Sequence, residues 1–422
     1  MVSAIVTGAT GITGSAIVHH LSKDSSYDKV YAVSRHDPGW KDPKLQHASI
    51  DLQGSANDMA KSLSGVSAEY VYFCAYMAKD DPQELCDVNG TMLSNFIKAL
   101  ESTGAIRTLK RFILTCGFKQ YTLHLGNCKQ PFFEDDPKLE GKVGGEEWPP
   151  NFYFTLQRIL ADAAAGSNWD WVVTLPQDVL GFARGNFMNE ATALGLYCTV
   201  SKALPGSELP FTGCKPNYFA FNTWTSANMH AKFCLWAATA HGAGNNIFNV
   251  TNGDTESWQN LWPRLARRFG CKIPNPMFPN GGTAGSKGYK DYESSTTRMP
   301  NKHPLTAVSS DLGVSHDPAT EETPTLFSQI DPEKWAARPE VNKAWTQVRD
   351  KYGLEQEAWE KATWGFLTFA LGRDWSCVGS MSKARKLGWT EYADTWDELV
   401  AVFEILEKEG ILPSVDKLKY DF

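Results

Sequence analysis

The chain opens Met1-Val-Ser-Ala-Ile-Val-Thr7-Gly8-Ala-Thr10-Gly11-Ile12-Thr13-Gly14-Ser15. An apolar run, Ala4 to Val6, breaks into three glycines spaced by three, and a helical pattern follows to Leu21. Strand, tight turn and helix in that order make the cradle for a dinucleotide pyrophosphate. Gly8 is expected to make the turn. Gly11, between Thr10 and Ile12, lets phosphates meet bare backbone, and Gly14 lets the helix close on its strand. The phosphates would rest on free N–H groups at the helix N-terminus.

Similar apolar runs recur at Ile5–Thr7, Val30–Val33, Ala48–Ile50, Tyr70–Cys74, Phe112–Leu114 and Trp171–Leu175, with helical patterns between them, notably Thr91–Leu100 and Leu156–Ala165. Alternating strands and helices imply an α/β fold, a doubly wound parallel Rossmann sheet that binds ligands beyond the carboxyl ends of its strands. Residues 1–184 are read as the NADP-binding Rossmann domain. Residues 185–422 are read as a smaller C-terminal substrate-binding region, mixed in structure, with returning segments packed on the Rossmann core. Within it, 275–330 is poor in core residues and rich in glycine and serine, which suggests a long, mobile surface loop. Near the end, Thr395 and Glu398 have capping-box spacing ahead of the apolar face Leu399, Val402, Phe403 and Leu406, and Gly410 stops the helix.

Composition narrows the function classes. The net charge of −7 argues against nucleic acid as the main partner. No apolar run is long enough to span a membrane. The strand beginning at the N-terminus leaves no room for a leader, so a cytoplasmic protein is expected. The nine cysteines are scattered without CxxC pairs, which points to reduced thiols rather than disulfides or zinc, and the histidines show no ligand spacing, so no metal is expected.

The second strand ends Val33-Ser34-Arg35-His36, with an arginine where an NAD-binding site would carry an acid, and this suits the 2′-phosphate of NADP. Asp51-Leu52, after the third strand, would flank the adenine. Thr115-Cys116-Gly117-Phe118-Lys119-Gln120-Tyr121 follows the fifth strand, and Asn151-Phe152-Tyr153 opens a later helix. In reductases of this general type a tyrosine phenol stabilises negative charge on a carbonyl oxygen, and a nearby lysine lowers the phenol pKa and anchors the ribose. The usual spacing puts that lysine four residues after the tyrosine. Here Gln157 stands there; Lys119, in the neighbouring loop, could supply the ammonium instead, although a lone lysine and a lone tyrosine are ordinarily a surface charge and a core aromatic.

The glycine pattern and the helix tyrosine resemble the extended short-chain dehydrogenase/reductase superfamily. Several blocks resemble, more narrowly, the progesterone 5β-reductase/iridoid synthase (PRISE-like) family. They are Gly117-Phe-Lys119-Gln-Tyr121, Asn151-Phe-Tyr153, Leu209-Pro-Phe-Thr-Gly213-Cys214-Lys215, Phe248-Asn-Val-Thr-Asn252-Gly-Asp254 and Ser380-Met-Ser-Lys-Ala-Arg-Lys-Leu-Gly-Trp389. They fall in family order along nearly the whole chain. The resemblance implies Tyr153 and Lys119 as the catalytic pair. Ala75, Cys116, Pro176 and Val179 join the cofactor contacts, with Pro176 and Val179 at the nicotinamide, and Tyr76 and Phe366 line an apolar substrate pocket. This chain departs from the family pattern with Phe154 in place of a second tyrosine, Gln157-Arg158 in place of an acidic pair, and Phe118 where plant-type members carry arginine.

The implied activity is NADPH-dependent ene reduction, with hydride added to the β-carbon of an α,β-unsaturated carbonyl of terpenoid, steroid or enal type, in secondary metabolism. One alternative is a redox-neutral isomerase, cyclase or epimerase that uses bound NADP transiently or structurally. Another is a non-catalytic NADP sensor, which the presence of both Tyr153 and Lys119 disfavours. The expected partner is a small apolar carbonyl compound, with no nucleic acid and no membrane. A homodimer is compatible with the sequence, which does not set the oligomeric state.

Overall fold

The computed structural model describes residues 2–185 and 188–422. Seven strands form one parallel sheet: β1 (Val2–Thr7), β2 (Tyr27–Ser34), β3 (Leu45–Ser49), β4 (Tyr70–Phe73), β5 (Arg111–Thr115), β6 (Asp170–Pro176) and β7 (Asn246–Val250). Their spatial order is β7-β6-β5-β4-β1-β2-β3. The winding direction reverses between β1 and β4, which places the turn after β1 against the end of β4. A Cβ on Gly8 would lie 3.0 Å from the Cys74 carbonyl.

Helices cover both faces, as βαβ crossovers require. On one face α1 (Ile12–Lys23) packs against α5 (Ala227–Thr239), over a core that includes Val6, Ile17, Phe233 and Phe248. On the other, α2 (Pro82–Thr103) packs against α3 (Phe152–Ala164), over Phe73, Phe96, Phe112 and Leu156. A third core sits among α4 (Glu190–Ala203), α6 (Trp258–Phe269), α7 (Pro339–Tyr352) and α8 (Trp364–Gly372). Tyr197, Trp262, Trp335, Trp345, Trp359 and Trp364 pack there ring against ring. Each such ring buries roughly 150–250 Å², so this cluster is the main apolar anchor of the helical region. Among the described residues no helix is long and apolar enough to cross a membrane, and none of the nine cysteines is disulfide-bonded.

The six apolar runs all lie on or against strands of the sheet, and β7 adds a seventh from beyond residue 184. Asn246 and Asn249 interrupt its apolar pattern, so periodicity passes over it. Asn249 is a tie point. It accepts the Tyr121 hydroxyl at 2.6 Å and donates to the carbonyls of Phe132 and Ser380 at 3.0 and 3.1 Å. The long connection after β5 is thereby fastened to the sheet edge and to the C-terminal segment.

Two expectations need correction. Residues 275–330 are not one structureless loop: Ser295–Arg298 pairs antiparallel with Thr325–Ser328, Pro304–Val308 forms a 3-10 turn, and Tyr289 and Ile330 are buried. The pairing joins segments almost thirty residues apart, so local composition does not reveal it. The late helix α9 (Thr395–Lys408) is capped by Asp394, which accepts the Asp397 N–H at 3.0 Å, and Thr395 is its first helical residue. Thr395 gives both its N–H and its hydroxyl to Asp254, each at 2.7 Å, and this tertiary partner displaces the local cap.

Gly14 is the glycine on which close packing depends. A Cβ there would stand 2.2 Å from the Gly8 carbonyl oxygen, whereas one on Gly11 comes no nearer than 3.4 Å. Overpacking of this kind costs about 1–3 kcal/mol. Gly14→Ala is expected to lower the thermal unfolding midpoint by several degrees, and Gly11→Ala by clearly less, as followed by circular dichroism.

Candidate active site

A cavity of about 630 Å³ opens beyond the carboxyl ends of the strands. It brings together nearly all the residues expected from sequence: Gly8, Thr10, Gly11, Ile12, Ser34, Arg35, Asp51, Leu52, Ala75, Tyr76, Cys116, Lys119, Tyr153, Pro176, Val179 and Phe366 line it. Two do not. Gly14 lies under the Gly8 carbonyl, and its role is to allow that approach. His36 is exposed, and its carbonyl accepts the Ser34 hydroxyl at 2.8 Å.

The end of the cavity near β1 and β2 suits a dinucleotide. Gly8 adopts φ +64°, a left-handed conformation that an L side chain resists. Gly11 is the N-cap of α1, and no side chain caps that first turn, so its backbone donors face outward unblocked. Arg35 is exposed at the rim, and its guanidinium has no hydrogen-bond or ion-pair partner among the described residues.

At the other end, one side chain couples the two residues of most chemical interest. Asn151 caps α3 by accepting the Tyr153 N–H at 3.0 Å, and its Nδ2 donates to the Lys119 carbonyl at 2.8 Å. The Asn151 N–H in turn donates to Glu140 at 3.1 Å, and Arg158 holds the other oxygen of that carboxylate at 2.8 Å. The turn after β5 and the first turn of α3 are thus one braced unit. Asparagine before an apolar helical run is a readable cap signal, but its second bond, across 32 residues, leaves no local trace.

The departures from the expected pattern have structural partners. Gln157 donates to Gln120 at 2.8 Å and accepts from Lys138 at 3.0 Å, so the position of the usual lysine is tied to the turn that carries Lys119. Phe118 is buried edge-on against Tyr121 and Phe132, with ring centroids 5.3 and 5.4 Å away. Phe154 is buried in α3.

The electrostatics correct one expectation. Burial, with smaller contributions from Cys116 and Tyr76, pushes the Tyr153 phenol well above its ordinary pKa instead of lowering it. The hydroxyl therefore stays protonated and can act as a hydrogen-bond donor. Burial lowers the pKa of Lys119. His124 is held down to about 3 by burial and by the Lys119 charge, so it stays neutral. Burial pushes the Cys74 thiol up to about 11 and raises Cys116 as well, which makes both poor nucleophiles. Sequence reasoning missed Asn151, the cavity wall at Met77, Met92 and Phe369, and Asp178.

The chain matches the PRISE-like Rossmann-fold domain over residues 4–289. It belongs to the PRISE-like family. An uncharacterized protein of Schizosaccharomyces pombe is 36% identical over 97% of this chain and 98% of its own length. A Penicillium aethiopicum protein named short chain dehydrogenase gsfE is 27% identical over 97% and 99%. An (S)-8-oxocitronellyl enol synthase of Camptotheca acuminata is 26% identical over 97% and 93%. Among solved structures, the Bordetella bronchiseptica enzyme WbmG, in complex with NAD and UDP, superposes with a TM-score of 0.55 at 12% identity, covering 98% of this chain and 96% of its own. That likeness concerns the fold.

In this PRISE-like chain, removing the Asn151 side chain deletes a helix cap and strips a part-buried carbonyl of its donor. Together these cost about 2–3 kcal/mol. Asn151→Ala is expected to lower stability by that amount in urea unfolding. Asn151→Ser, which keeps a capping hydroxyl, is expected to lose about half as much.

Proposed function

We propose that this protein is an NADPH-dependent ene reductase that reduces the C=C bond of an α,β-unsaturated carbonyl compound of terpenoid, steroid or enal type, in secondary metabolism. The observation that carries this reading is the Asn151 brace, which fixes a protonated phenol and a lysine at one end of a cavity whose other end suits a dinucleotide. The name of the Camptotheca relative, an oxocitronellyl enol synthase, supports it, since conjugate addition of hydride to an enal gives an enolate or enol.

Gly8, Thr10, Gly11 and Ile12 would hold the cofactor phosphates, Arg35 the 2′-phosphate, Asp51 and Leu52 the adenine end, and Pro176 and Val179 the nicotinamide end. When bound, NADPH supplies hydride. The Tyr153 hydroxyl donates a hydrogen bond to the carbonyl oxygen of the substrate and stabilises the negative charge that gathers there as the β-carbon is reduced. Its raised pKa keeps that proton in place at neutral pH. The Lys119 ammonium adds positive charge on the same side. Tyr76, Phe152 and Phe366 exclude water from the carbon skeleton. Solvent protonates the α-carbon and completes the addition of H₂ across the double bond.

The direct test mixes purified protein, NADPH and a panel of enals and enones, with absorbance followed at the nicotinamide band. Reduction of at least one member is expected. Isomerised or cyclised product without net NADPH consumption would favour the redox-neutral alternative. Tyr153→Phe should lose about 100-fold or more in kcat while the NADPH dissociation constant stays within twofold. Arg35→Asp should lower the preference for NADPH over NADH by at least about tenfold, through loss of an ion pair and gain of a repulsion. Because burial lowers the Lys119 pKa, its charge is present at low pH and lost as pH rises. The rate should therefore fall on the alkaline side with a midpoint below about 10.4, and Lys119→Met should abolish that limb.

A further inference from the structure

Four charged residues line the cavity among the described residues. Arg35 and Asp51 follow β2 and β3, Lys119 follows β5, and Asp178 follows β6. The first three have places in the cofactor or reaction chemistry, and Asp178 has none.

Several features single out Asp178. Its backbone adopts φ +33°, a left-handed conformation strained for any residue but glycine and concentrated at functional sites. Its Oδ2 accepts from Arg373 Nη2 at 2.6 Å, while no donor reaches Oδ1 among the described residues. Arg373 is 1% exposed, and its Nε and Nη1 find no acceptor among the described residues. The guanidinium lies 5.6 Å from the Phe369 ring centroid, and Phe369 stands beside Phe366 on the cavity wall. Glu190, also buried beside the pair, has its pKa raised by burial and by the Asp178 charge.

A buried ion pair is commonly no more stable than apolar residues of the same volume. Stability alone therefore does not account for an Asp178–Arg373 pair set into an aromatic wall. We propose that Asp178, oriented by Arg373, is a substrate subsite whose free carboxylate oxygen accepts a hydrogen bond from a hydroxyl group of the substrate, so that the unsaturated carbonyl compound also carries an alcohol. The charge pattern selects a neutral donor. Asp178 and Arg373 cancel, and Lys119 on the same cavity opposes a cationic ligand. The subsite deepens the ene-reductase reading and rests on it for the identity of the carbonyl end.

The test uses oct-2-enal and its 4- to 8-hydroxy derivatives. Binding to the protein saturated with NADP⁺ is measured by calorimetry, where no reduction occurs, and turnover is then measured with NADPH. A hydrogen bond to a desolvated charge should make at least one hydroxy derivative bind about tenfold tighter than oct-2-enal. In the double variant Asp178→Gly/Arg373→Met, which removes both charges and gives position 178 a residue suited to positive φ, that preference should fall below twofold. Circular dichroism and a cooperative thermal transition would show that the variant is folded, and its NADP⁺ dissociation constant is expected to be unchanged.

Equal binding of the enal and all its hydroxy derivatives to the wild type would overturn the subsite, even if all are reduced. So would a tenfold loss of NADP⁺ affinity in the folded double variant, because the carboxylate would then serve the cofactor. A hydroxyl preference lost in the variant, with no reduction by NADPH, would sustain the subsite and overturn the ene-reductase reading alone. Failure of every octenal to bind would overturn both.

Discussion

The Asn151 amide spends its acceptor on the Tyr153 N–H and its donor on the Lys119 carbonyl. In enzymes with the usual tyrosine-to-lysine spacing, one helix sets the separation of the two side chains, because residues four apart share a face. Here the two come from a turn and a helix separated by a long connection, so helical geometry sets nothing. Their separation depends on how firmly the turn is fixed to the helix start. The brace continues through Glu140 to Arg158 and through Gln157 to Gln120, so α3 grips the turn along its first two windings.

That brace needs the connection between β5 and α3 to be immobile, and the rest of the chain arranges this. Phe132 forms a bridge with Gly379, Gln130 exchanges hydrogen bonds with the backbone of Ser376 and Val378, and Asn249 of β7 fastens the same strip from the sheet edge. His303, from the region between 275 and 330, accepts the Asn127 N–H at 2.9 Å. Segments from the second half of the chain therefore stiffen a turn in the first half.

Legibility followed the range of the interactions. The glycine turn, six strands, Arg35 and the lining residues after each strand could be read because strand periodicity and strand-end position are local properties. What stayed hidden depends on partners distant in sequence. β7 carries two asparagines whose partners are Tyr121, Phe132 and Ser380. The antiparallel pair near 295 and 325 forms across a long intervening stretch. The start of α9 shifted by one residue because Asp254 claims Thr395. Asp178 falls between two expected contacts, and only the fold reveals Arg373 behind it. The Tyr153 phenol follows the same rule: its pKa is set by burial, which the neighbouring residues in sequence do not show.

The displaced lysine has a physical reason. The side chain four residues after Tyr153 points between Gln120 and Lys138, with Cys116 nearby, and it is buried. A lysine at 157 would place a second ammonium against Lys138 in a poorly solvated space, where like charges repel strongly. Glutamine instead accepts from Lys138 and donates to Gln120, satisfying both without adding charge. Through Gln120 that contact steadies the very turn that carries Lys119. The residue four positions after Tyr153 thus braces the turn that carries Lys119, whose ammonium comes from the end of β5 and not from α3.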